Sequence, residues 1–249
     1  MILEWLGLPV AGSAHAAEVD HIMVLVHWLM LVLFVGWSAF FVFVLYRFRS
    51  RRNPKASYQG VRGQFASVVE VGVLVAEIVL LAFFSIPFWS ANVDAKPPDG
   101  AATEVRVVAE QFSWNFHYPG RDGKFGRTSI ALVDPDNPLG LDRRDPAAKD
   151  DITTINQLHL PVARTVVIHL SSKDVIHSLG MPEMRVKQDA IPGIVQPVWF
   201  TPMKTGRWEI ACSQLCGLAH YRMKAFYAIH TPEQYQAWLD EEAAALQPQ

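Results

Sequence analysis

The 249-residue chain has only two cysteines, and neither lies in a C-x-x-C-H sequence, so no haem is fused to it covalently. Charge is scarce as well: 18% of residues are Asp, Glu, Lys or Arg, against 51% apolar. The scarcity is local. Residues 22–46 hold no formal charge in 25 positions, and residues 66–89 hold only Glu70 and Glu77 in 24. Acid is absent from the stretch between them, RFRSRRNPKASYQGVRGQ, which carries Arg47, Arg49, Arg51, Arg52, Lys55 and Arg62. Neither an internal repeat nor a low-complexity segment is present. From Asp94 onward 16 basic residues meet 19 acidic ones, a net charge of −3 that argues against a nucleic-acid partner.

Each apolar run is long enough to cross a bilayer as a helix, the form in which every backbone group finds its partner internally. The basic loop between them is cytoplasmic by the positive-inside rule, which puts both termini and everything after Trp89 outside. The first residues, MILEWLGLPVAGSAHAA, read two ways. Ala14-His15-Ala16 resembles a signal-peptidase site, yet no basic segment precedes it and Glu4 stands where positive charge belongs. Residues 1–21 are therefore an outer segment or a signal remnant, followed by a transmembrane hairpin over 22–95.

The linker Lys96-Pro97-Pro98-Asp99-Gly100 marks a change of period. EVRVVAEQFSWNFHYP, TVVIHLSS, QPVWFTP, GRWEIAC and MKAFYAIH are β-branched and aromatic runs bounded by Gly, Pro and Asp, and they read as strands. Residues 120–150 are polar and rich in turn residues, and read as a long surface insertion. Thr231 and Gln234 have capping-box spacing at the start of a closing helix. A β-sandwich or small barrel over 96–230 follows, with a C-terminal helix and tail over 231–249.

The chemistry concentrates in ACSQLCGLAHYRM, where Cys212, Cys216, His220 and Met223 follow at spacings of four, four and three. Outside the cytoplasm two such cysteines suit a disulfide. They also suit a zinc site, to which the methionine adds nothing, or a pair of buried thiols. Copper accounts for the whole set, because thiolate, thioether and imidazole are its ligands. His177, in SSKDVIHSLG at the end of a strand, supplies an upstream histidine.

DVIHS, KQDAIPG, GRWEIACSQLCGLAHYRM and the aromatic stretch QFSWNFHYPG resemble cytochrome c oxidase subunit II, as do the two spans and basic loop. The resemblance implies a membrane-anchored all-β protein with a cupredoxin-like Greek-key β-sandwich. It implies a binuclear copper centre bridged by Cys212 and Cys216, with His177 and His220 each on one copper. Met223 and the backbone carbonyl of Gln214 are the weak ligands, and Asp174 is an acid supporting His177. Electrons enter at Phe112 or Trp114, and Glu70 stands at the mouth of a proton channel. The partners implied are oxidase subunit I with its haem, other oxidase subunits and a cytochrome c-type donor, and the place is a bacterial cell membrane with the copper domain outside.

The chain departs from the family pattern at several positions. Gln214 replaces a glutamate, and a neutral amide is a weak ligand for magnesium, so the magnesium at the subunit interface is in doubt. Phe112 takes the place of an entry tryptophan, and His117 and Lys173 stand where relatives carry acids that attract a basic cytochrome. These changes point to a membrane-held donor or an alternative complex III. The resemblance assigns no role to Glu77, which reads as a hydrogen-bonding contact to a neighbouring helix. The rival readings are a membrane-anchored copper-delivery protein and a quinol-oxidase subunit, although the latter lacks the cysteines.

Overall fold

The computed structural model describes residues 7–55, 58, 63–94, 97 and 100–246. The basic loop's Arg62 and the linker's Lys96, Pro98 and Asp99 lie outside the described residues, as does Glu4. The chain divides into two units, one of residues 18–94 and one combining 1–17 with 95–249.

Two helices make up the first unit. Helix α1 (Ala16–Arg47) has 32 residues and helix α2 (Phe65–Asp94) has 30, so each is about 45 Å long and ample for a hydrocarbon core of about 30 Å. Trp28, Phe34, Phe41, Val71 and Phe83 are exposed on them. Helices apolar all round with bare side chains are membrane spans rather than parts of a soluble core. Glu18 in the first turn of α1 and Arg47 in its last complement the helix dipole. Pro87 has no N–H to donate, and around it α2 widens into π-helical turns at Leu81–Ser85 and Ser90–Asp94.

The second unit is a sandwich of two five-stranded sheets. In the first sheet the order is β3-β2-β1-β5-β8, comprising β1 (Thr103–Glu110), β2 (Ser113–Tyr118), β3 (Ile152–Ile155), β5 (Val166–Ser172) and β8 (Gln196–Phe200). The order in the second is β4-β10-β9-β6-β7, comprising β4 (Gln157–Pro161), β6 (His177–Met181), β7 (Val186–Ala190), β9 (Gly206–Cys212) and β10 (Lys224–His230). Strands β1 and β5 run parallel, as do β4 and β10; the remaining neighbours are antiparallel. Alternation sets the core. Val105, Val107 and Ala109 point inward from β1, and Ile168 and Leu170 from β5, to meet Leu158, Leu179, Ile210 and Tyr227 of the facing sheet. This is the cupredoxin-like sandwich that the resemblance implies.

Two segments differ from expectation. The aromatic stretch is two strands rather than one, because the chain turns at Gln111 and Phe112. The insertion over 120–150 is more than a surface loop, since Leu139, Leu141 and Ala148 within it are buried, as is Asp151 just after it. It covers His117, which packs against Phe125 and is buried although it alternates with core residues of β2. Asp151 accepts from the His117 ring at 2.6 Å and from the N–H groups of Gly120 at 3.2 Å and Gly126 at 2.7 Å.

The closing helix α3 (Pro232–Ala245) has the expected capping box. Thr231 Oγ1 accepts from the N–H of Gln234, and Gln234 Oε1 from that of Thr231. Residues 12–14 also belong to this unit: Gly12 donates to Glu183 O at 2.7 Å, Ala14 to Thr201 O at 2.9 Å, and Ser13 Oγ to Met184 O at 2.7 Å. Residues 12–14, read as part of a leader or an outer segment, are thus laced into the β-unit.

Candidate metal centre

Strands β6 and β9 lie side by side, with Leu179 opposite Cys212, and this pairing brings His177 to the cysteine loop. His177 begins β6 rather than ending a strand, because the turn through Lys173 and Asp174 separates β5 from β6. The loop from Ser213 to Met223 joins β9 to β10 and tightens into one 3-10 turn at His220–Arg222. Gly217 sits at φ 136°, and a Cβ there would lie 2.6 Å from Gln111 Nε2. The left-handed φ at this position favours glycine. Gln111 Nε2 in turn donates to Cys216 O at 2.6 Å, a brace that sequence reading missed although Gln111 opens the aromatic stretch.

The cluster is tight. Cys212 Sγ and Cys216 Sγ are 3.7 Å apart, far beyond a disulfide bond of about 2.05 Å, and both cysteines are free and buried. His177 Nδ1 is 3.9 Å from Cys212 Sγ, and His220 Nδ1 is 3.5 Å from Cys216 Sγ. Met223 Sδ is 3.6 Å from Cys216 Sγ, and the carbonyl oxygen of Gln214 is 3.2 Å from Cys212 Sγ. Ligand atoms of His177, Cys212 and Cys216 all fall within 4.8 Å of one another. Burial pushes the Cys216 thiol up to about 11, with the neighbouring Cys212 and Asp174 adding to the effect. A metal entering here therefore displaces protons from the sulfurs.

Asp174 orients His177. Its Oδ1 lies 2.9 Å from His177 Nε2, and its Oδ2 accepts from the N–H of Gln111 at 2.7 Å. Burial opposes ionisation of Asp174, but bonds from His177 and from the Gln111 and Val175 N–H groups outweigh it and hold the carboxyl below its usual range. With Nε2–H donated to the carboxylate, Nδ1 keeps its lone pair toward the sulfurs. Five donors of soft or borderline type and one backbone carbonyl thus converge, a set that suits copper.

The other sequence candidates are dispersed. Trp114 is fully buried and meets the His177 ring edge-on at 6.2 Å. Phe112 is half-buried and packs against the core beside Gly217. His117 is buried on Asp151, which removes both residues from any docking surface for a cytochrome. Lys173 pairs with Glu110 at 2.7 Å. Glu70 and Glu77 are exposed on α2, in the unit apart from the cluster. Leu215, Leu218 and Tyr221 stand out from the cysteine loop at 77%, 98% and 85% exposure, an apolar face over a buried polar centre.

Comparison with known proteins places the chain in a family. Residues 103–228 match the family model described as the periplasmic domain of cytochrome c oxidase subunit II. An alternative cytochrome c oxidase subunit 2 of Bradyrhizobium diazoefficiens is 33% identical over 239 residues, covering 96% of this chain and 84% of that protein. A cytochrome c oxidase subunit 2 of Cereibacter sphaeroides is 28% identical over 259 residues, covering 96% and 83% respectively. The crystal structure of the periplasmic domain of cytochrome oxidase subunit II from Bradyrhizobium japonicum is 26% identical, with a TM-score of 0.44 over 61% of this chain and 99% of that one. Full-length similarity and the matched outer domain lead to one assignment: the chain belongs to the cytochrome c oxidase subunit II family.

Proposed function

We propose that the chain holds two copper ions between Cys212 and Cys216, with His177 and His220 as nitrogen ligands and Met223 and the Gln214 carbonyl as weak ligands. Family membership makes the chain a membrane-anchored subunit of a haem–copper oxidoreductase. Single electrons arrive at the outer face of the bacterial cell membrane and leave for haem in subunit I, where oxygen is reduced and protons are pumped. When bound, the copper pair supplies a one-electron redox couple.

The observation carrying this reading is the donor count. A sulfur separation of 3.7 Å fits one four-coordinate ion as well as two. One such ion uses four ligands, whereas six donors converge here. Two sulfurs shared between ions, with a histidine and a weak donor for each, employ all six. A delivery protein for a single exchangeable ion has no use for the surplus.

The chain's own residues fix the geometry. Asp174 sets the His177 tautomer, Gln111 ties the loop at Cys216, and Gly217 permits that approach. Phe112, half-buried beside the loop, is the electron entry, and Trp114 is the inner contact to His177. The exposed face of Leu215, Leu218 and Tyr221 is covered by another oxidase subunit. Gln214 offers no carboxylate, so an interface magnesium gains little from this chain. Glu70 is the cytoplasmic entrance for protons, and residues 22–95, 96–230 and 231–249 form the membrane hairpin, copper domain and closing helix with its tail.

The experiment is oxygen uptake by the assembled oxidase. Glu70→Gln should slow turnover while leaving the copper spectrum unchanged; unchanged turnover removes the proton role. Soluble basic cytochrome c should be a poor donor with a shallow salt dependence, because His117 is buried and Lys173 is positive. Fast oxidation that falls steeply with salt would replace the membrane-held donor, such as an alternative complex III, by a soluble one.

A further inference from the structure

On the side of β1 and β5 that points away from the sandwich core there is a cavity of about 900 Å³, roofed by parts of residues 125–139 and by the loop before β8. Its volume is that of a small-molecule site. Most charges around it are matched. Glu104 bonds to His169 at 3.0 Å, and Lys173 to Glu110 at 2.7 Å. Asp151, behind the wall, accepts from three N–H groups, those of His117, Gly120 and Gly126.

Arg106 is the exception. Its guanidinium stacks on Phe125 at 4.2 Å, and its hydrogen bond is a long one, 3.5 Å, to Gly126 O. Among the described residues no carboxylate stands within ion-pairing distance of it. A guanidinium has five N–H donors in a planar fork that fits a carboxylate through two parallel bonds. Burial disfavours its charge, and only the through-space fields of Asp151 and Glu104 oppose that effect. Val108, Val133, Leu139 and Val195 supply apolar wall.

We propose that this cavity binds a small amphipathic carboxylate, its head bidentate on Arg106 and its apolar body against Val108, Val133 and Leu139. The same geometry selects a monoanion. A phosphate monoester brings a second negative charge toward the carboxylates of Glu104 and Asp151, whose fields reach Arg106 through space.

The test uses the full chain in lipid nanodiscs and a photoreactive aryl-diazirine butyrate, with cross-links mapped by peptide mass spectrometry. Label is expected in residues 104–108, 125–139 or 169–173. 4-Phenylbutyrate should displace it about tenfold better than 4-phenylbutanol or phenyl phosphate, as expected for loss of a charge-assisted pair. Arg106→Gln should reduce labelling by about the same factor. Val195→Trp, at an exposed mouth position that does not carry the fold, should block labelling without changing the thermal melt. Label confined to the membrane spans, equal displacement by the alcohol, or labelling indifferent to both substitutions would overturn the proposal. If Arg106→Gln does not fold, the Val195→Trp result decides.

Discussion

Two connections leave the same sandwich and are built in opposite ways. The β9–β10 loop carries its chemistry in its own short sequence, and its donors gather because Cys212, Cys216, His220 and Met223 are near neighbours in the chain. The β2–β3 insertion has no such local pattern. It is held by pairings across about 30 residues, above all His117 with Asp151 and the Gly120 and Gly126 N–H groups with the same acid. The first connection depends on ligand identity and the second on one buried charge. Their failures should therefore be separable.

Cys216→Ser should have the largest effect. A single sulfur cannot hold both ions in the same geometry, so the binuclear spectrum and oxidase turnover should vanish while the insertion stays protected from protease. Loss of that protection would mean the metal loop also supports the insertion. Asp151→Asn should do the reverse. Removing one partner of a buried pair costs about 3 kcal/mol, and the new amide places a donor opposite backbone donors. Thermal melting should drop and proteolysis should begin within residues 120–150, with copper binding intact in the surviving fold.

Asp174→Asn should weaken copper binding by about 10–100-fold, the usual effect of losing a carboxylate behind a ligand histidine. Melting of the copper-free chain should change much less than with Asp151→Asn. An unchanged copper affinity would reduce Asp174 to a turn residue.

The smallest effect lies at the closing helix. The His159 ring bonds to His230 at 2.8 Å and stacks on Trp238 at 4.3 Å. Burial, with help from His230 and Arg207, pushes His159 down to about 4. A folded pKa below the unfolded value of about 6.5 means that the unfolded chain binds more protons between those limits. Stability should therefore fall as pH drops from 6.5 toward 4, by about 1–2 kcal/mol once solvent screening of the part-exposed ring is allowed for. The check is a melting curve of His159→Gln across that range, which should be flatter than that of the parent.

The contrast between the connections also explains what was legible beforehand. Both spans, the strands around Val105, Ile168, Ile210 and Tyr227, and the Thr231 capping box follow from local period and spacing, and all are present. The donors of the metal loop were readable for the same reason, His177 was a candidate from its place beside a strand, and the likeness to a known family added the Gln214 carbonyl. What failed was whatever depends on a distant partner. His117 alternates as a surface residue should, but the insertion covers it. The full burial of Trp114 was likewise not legible, because aromatic sequence says nothing of depth. Strands β3, β4, β6 and β7 are short, and β6 is buried throughout, so no alternation announced it.

The central claim is that six convergent donors hold two metal ions, not one. The direct measurement is the metal content and electron paramagnetic resonance spectrum of the full chain after copper loading. Two coppers per chain are expected, with a seven-line hyperfine pattern from one spin shared equally over both ions. One copper per chain with a four-line pattern would contradict the account.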